Sequence, residues 1–163
     1  NDKSLTDGVK FAMLRNISSR FKYSCFVNIV EEMELNLYPE SQRSVLFDLL
    51  SYANKIELNR LVLTTHSPYV INYLTLAAKA FLLTQKISAN ETLQERIKEV
   101  VPADSAIDPA RLRIYELKDG GVFRLSTYEG LPSDENFLNI QLGVTNELFD
   151  QLLEIEQEFD YKN

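Results

Sequence analysis

Apolar residues at Val9, Ala12, Met13, Ile17 and Phe21 follow the helical repeat closely enough to predict a helix over residues 8–22. The pattern then changes. Residues 26–30, FVNIV, are apolar and β-branched, with Asn28 as the one polar interruption. Such a run predicts a short strand covered on both faces, as in a parallel sheet. LYPE turns the chain at Pro39, and Val45, Leu46, Leu49, Leu50 and Ala53 then mark one face of a helix over residues 41–53. RLVLTT, residues 60–65, predicts a second strand. HSP closes it, and Pro68 opens a helix that runs to about residue 83. Strand, helix, strand, helix in this order predicts an α/β fold, a parallel sheet flanked by helices.

Beyond residue 85 the pattern is different. A polar helix is predicted over residues 91–100, followed by PADSAIDPA as a loop. RLRIYEL and VFRLSTY flank KDGG, a hairpin signal, because glycine accepts positive φ. Residues 145–159 form an acidic amphipathic helix whose stripe is Leu148, Phe149, Leu152, Leu153 and Ile155. That stripe is expected to pack on the body or to meet a partner. The chain therefore reads as one segment with three parts: residues 1–85, a linker or insertion over 86–110, and a hairpin with C-terminal helices over 111–163.

Composition narrows the function classes. A length of 163 residues with 45% hydrophobic side chains suits one domain with a real core. The net charge of -7 works against non-specific binding to nucleic acid or to an anionic membrane. The longest fairly apolar stretch, YVINYLTLAAKAFLL, is broken by Asn72 and Lys79 and is too short to span a bilayer. Cys25 is the sole cysteine, which excludes an internal disulfide and fits a cytoplasmic location.

The chemistry-bearing residues sit at strand ends. Glu31 and Glu32 follow the first strand directly. A bare pair of glutamates can be a solvated strand end. In open parallel sheets, however, ligands bind at the carboxyl ends of strands. There one carboxylate can hold a hydrated magnesium ion while the next orients a water for attack on phosphate. His66, the one histidine, occupies the matching place after the second strand. Alone it can be structural or a surface residue. With neighbouring strands it converges on the glutamates, where it can hydrogen-bond a phosphate oxygen or an attacking water. Near the start, Thr6 and Gly8 in SLTDGVKF precede a predicted helix whose first amides can bind an anion. Thr6-Asp7-Gly8 before a helix can equally be an ordinary cap.

Together these motifs resemble the C-terminal half of an ABC-type ATPase. The closer likeness is to the soluble, AAA-labelled bacterial P-loop ATPases, the branch of the overcoming-lysogenization-defect (OLD-like) and abortive-infection ATPases. FVNIVEEMELNLYP looks like that branch's Walker B motif and D-loop, LTTHSP like its switch-histidine loop, and LTDGV like a loose signature motif. RIYELKDGGVFRL resembles the hairpin that follows the switch loop. The likeness covers residues 5–73 and 113–125.

The resemblance implies ATP and Mg2+ as ligands. It would have Glu31 hold magnesium through water, Glu32 serve as general base or water-positioning carboxylate, and His66 sense the γ-phosphate. Thr6 and Gly8 would touch the γ-phosphate of the opposing protomer's ATP, and Asn36, in the D-loop, would lie at the seam of a homodimer. Met33 stands where the family has proline, and Asp7 and Val9 stand where the transporter signature has glycine and glutamine. No G-x-x-x-x-G-K-[ST] occurs in these residues. Since the first residue is Asn1, the Walker A half is expected upstream in a longer protein. The segment alone would then be inactive, with an unpaired apolar sheet edge. The competing expectation is a non-catalytic protein-interaction domain on an ATPase-like fold. Nucleic-acid processing follows from family analogy alone.

Overall fold

The computed structural model describes residues 25–162. The helix expected over residues 8–22, and Thr6 and Gly8 with it, lie outside the described residues. Strand β1 (Val27–Val30) pairs in parallel with β2 (Arg60–Leu63), in a register that sets Val27 beside Arg60 and Val30 beside Leu63. Asn59 aligns the two starts. Its buried amide accepts from the Phe26 N–H at 2.9 Å and donates to the Tyr52 carbonyl at 3.2 Å, while the Arg60 N–H donates to the Phe26 carbonyl.

Helix α1 (Pro39–Asn54) and helix α2 (Pro68–Lys86) follow the two strands, each with proline in its first turn. Proline's fixed φ suits that position, and its missing N–H would have had no helical partner there. The α1 stripe is Leu46, Phe47 and Leu50, with Leu49 half-buried; Val45 lies on the exposed flank. These residues join Met33, Val70, Leu74, Ala77, Ala80 and Val101 in one core cluster, against which Val30, Leu61 and Leu63 pack.

Only one face of the strand pair meets that core. Val27, Ile29 and Val62 point the other way and are exposed. Among the described residues, the helices that pack on the pair do so through the alternate positions, Val30, Leu61 and Leu63.

Within residues 86–110, the turn Ala103–Ser105 packs on α1. Helix α3 (Glu91–Val100) leads into buried Val101. Buried Ser105 then donates its hydroxyl to the Phe47 carbonyl at 2.8 Å. The Asn54 amide donates to the carbonyls of Asp104 and Ala106, and the Ser51 hydroxyl donates to the Asp104 carboxylate.

The expected hairpin is β3 (Tyr115–Lys118) against β4 (Gly121–Arg124), joined by Asp119 and Gly120 with φ of 51° and 74°. Two successive positive φ values match the right-handed strand twist, and glycine meets that demand without strain. Gly120→Ala is expected to cost about 1–2 kcal/mol. The cost would be backbone strain alone, since a Cβ there meets nothing within 4 Å. An unchanged denaturant midpoint would show that the turn relaxes instead.

VFRLSTY is not one strand. Buried Leu125, whose N–H donates to the Ile114 carbonyl, separates β4 from a second, shorter hairpin, β5 (Thr127–Tyr128) and β6 (Leu131–Pro132). Its turn, Glu129-Gly130, repeats the positive-φ pair.

Helix α4 (Phe137–Lys162) starts eight residues before the expected 145. Two caps fix its start: Asn136 Oδ1 accepts from the Asn139 N–H, and Glu116 Oε1 accepts from the Phe137 N–H. Its stripe does not pack on the described body, as Leu148, Phe149, Leu152 and Ile155 are all more than half exposed.

Candidate functional site

The parallel register brings both strands to their ends at the same level, so the loop after β1 and the loop after β2 lie side by side. The Thr64 N–H continues the ladder by donating to the Val30 carbonyl at 3.1 Å. In return, the Glu32 N–H donates to Thr64 Oγ1 at 3.0 Å.

The first loop is tightly wound. Glu32 and Asn36 both have positive φ, 46° and 60°. Asparagine adopts that conformation readily, whereas glutamate does so at a cost. Backbone hydrogen bonds from Leu35 to Glu32 and from Leu37 to Glu34 close two successive turns. Met33, buried in the core cluster, anchors them from below. It fills the place of the expected proline with an apolar plug.

This geometry brings Glu32 and His66 together. Glu32 Oε1 lies 3.8 Å from His66 Nε2, with the two side chains 51% and 84% exposed. Attraction across so open a gap contributes little to stability. Its chemical meaning is different. One water about 2.8 Å from each atom closes a triangle over the gap, so both groups can hydrogen-bond the same water. Glu31 is exposed at the same strand end, and Asn36 is exposed at the tip of the loop.

Two residues that sequence reasoning passed over tie the loops together. The His66 N–H donates to Glu34 Oε1 at 2.5 Å. Burial alone would raise the Glu34 carboxyl. The His66 N–H, Glu34's own N–H, the Thr65 hydroxyl and the nearby imidazole outweigh it and hold Glu34 below its ordinary value. Its contribution to stability is therefore present at neutral pH and is lost as pH falls through that lowered value. The second residue is buried Gln42, which accepts from the Ser67 hydroxyl at 2.6 Å and donates to the Leu37 carbonyl at 2.9 Å. The available signals were the third acid in EEME and a glutamine on the apolar face of α1.

Residues 27–72 match the family described as "AAA domain, putative AbiEii toxin, Type IV TA system". The match runs from β1 into the first turns of α2 and holds Glu31, Glu32, Asn36 and His66. It supports an AAA-like, P-loop-ATPase type of domain, and with it nucleotide-dependent chemistry in general. The mixed α/β fold with its parallel strand pair is consistent with part of such a domain. No curated protein and no solved structure matches the chain. No helix among the described residues is long and apolar enough to cross a membrane.

Proposed function

We propose that this chain supplies the C-terminal part of an ATP-hydrolysing, ABC-type ATPase domain of the OLD-like and abortive-infection branch. The observation that carries the reading is the 3.8 Å approach of Glu32 and His66 at the carboxyl edge of two parallel strands, inside the stretch that matches the AAA family. Glu32 orients the attacking water and takes its proton. His66 donates to, and so senses, the γ-phosphate.

Glu31 is the residue that would hold Mg2+. Among the described residues no group of three or more His, Cys, Asp or Glu forms a metal cage. One exposed carboxylate still suits a hydrated magnesium, which takes one or two carboxylates and completes its shell with water and phosphate oxygens. When bound, the ion would offset phosphate charge.

The remainder of the site comes from elsewhere. These residues hold no phosphate-cradling G-x-x-x-x-G-K-[ST] loop, so we assign that role to an upstream half of the same protein. Thr6 and Gly8 would reach the ATP of a second protomer, with Asn36 at the seam. The exposed apolar face of Val27, Ile29 and Val62 fits a covering layer supplied by such a partner element. The segment on its own is therefore expected to self-associate. A clean monomer by size-exclusion chromatography at high concentration would count against this.

The second reading, a protein-interaction domain on the same fold, is favoured by the exposed stripe of α4. ATP binding and turnover by the full-length protein separate the two: ATPase activity supports the first, and failure to bind nucleotide supports the second.

A further inference from the structure

We propose that Glu34 is a positioning residue that holds His66 against Glu32. The assignment rests on the ATPase reading above and deepens it. The His66 imidazole is 84% exposed, so packing does not set its place. Its backbone does, and the side-chain acceptor for the His66 N–H is Glu34 Oε1. Two flanking positions of the switch loop, Thr64 and Ser67, are also fixed. Thr64 receives the Glu32 N–H, and Ser67 donates to Gln42. His66 is thus held at the crest of a short loop by one carboxylate.

Glu34 is well placed to hold it. Its neighbour Met33 is buried in the core, and its own carbonyl closes the turn to Leu37. A side chain on the Glu32 loop therefore grips the backbone of the His66 loop. Any shift of residues 33–37 moves the imidazole relative to Glu32. Asn36 belongs to the same pair of turns, so contact by a second protomer at that tip would reach His66 through Glu34.

The test uses the full-length protein with ATP and Mg2+, comparing Glu34→Ala and Glu34→Gln by steady-state kinetics and by hydrogen exchange at the His66 amide. Alanine removes the acceptor, whereas glutamine keeps a side-chain carbonyl in its place. Glu34→Ala is expected to lower kcat by about 10- to 100-fold with little change in KM, and to lose protection of the His66 amide. Glu34→Gln is expected to restore both to within about threefold of wild type, since it retains the geometry that matters. A purely structural role would lower the yield of folded protein without this split between kcat and KM.

Wild-type turnover in Glu34→Ala alongside a deprotected His66 amide would overturn the assignment alone. So would a Glu34→Gln variant as slow as Glu34→Ala. Absence of ATP turnover in the wild-type protein would overturn the ATPase reading and this assignment with it.

Discussion

Glu32→Gln in the full-length protein is expected to leave ATP binding intact and to lower hydrolysis by about 100-fold or more. Glutamine preserves the size of the side chain and its hydrogen bonding but cannot accept the proton of the attacking water. Nothing in the local fold requires the charge. Glu32 holds its place through its backbone, which donates to Thr64 and accepts from Leu35, and its side chain is half exposed. Binding should persist because the ion is assigned to Glu31 and the phosphate cradle to the upstream half. Equilibrium binding of ATP and phosphate release, measured on the same preparation, check the two parts separately. Unchanged hydrolysis would remove Glu32 from the chemistry. Loss of binding would place it among the nucleotide ligands instead.

The largest effect on stability is expected at Leu46. Its side chain is fully buried in the cluster that also contains Met33, Val70 and Leu50. Leu46→Ala removes buried methyl groups and leaves a cavity, at a cost of about 2–5 kcal/mol. Against a typical total stability of roughly 5–15 kcal/mol this is a large fraction. The effect should reach the site, because Met33 belongs to the same cluster and anchors the loop that carries Glu32 and Glu34. Leu152→Ala on α4 is the internal control. That side chain is 63% exposed, so its replacement should change stability by no more than about 0.5 kcal/mol. Denaturant midpoints at constant m value measure both. Equal effects at the two positions would mean that α4 is as deeply packed as α1.

The parts of the fold legible in the sequence were those with local causes. Pro39 and Pro68 start the two helices that the apolar spacing outlines, and the Asp119-Gly120 turn marks the first hairpin. The α4 start was hidden by its own pattern. Leu138, Ile140, Leu142 and Val144 alternate with Asn139, Gln141 and Gly143, a period that suits a strand. A cap from Glu116, distant in sequence, helps to set the helix start instead. The second hairpin was missed because strands of two residues carry almost no periodicity.

The site divides in the same way. Glu31, Glu32 and His66 stood out because strand ends concentrate chemistry, and a β-α-β unit sets its two strands side by side in parallel. Glu34 and Gln42 did not stand out, since each acts across more than twenty residues of sequence. A carboxylate that grips a distant backbone N–H has the same sequence signature as a solvated surface charge. The face of Val27, Ile29 and Val62 stays open among the described residues. Apolar residues report that a face is coverable, and the described residues do not cover it.

The central claim is that Glu32, on the attacking water, and His66, on the γ-phosphate, act as one catalytic unit. A double-mutant cycle on ATP turnover tests it most directly, using Glu32→Gln, His66→Ala and the double variant in the full-length protein. If the two act together, the double variant will be no slower than Glu32→Gln alone, because removing one member already disables the unit. If the two slowing factors multiply, the residues act independently, and the 3.8 Å approach at the end of β1 and β2 has no catalytic meaning.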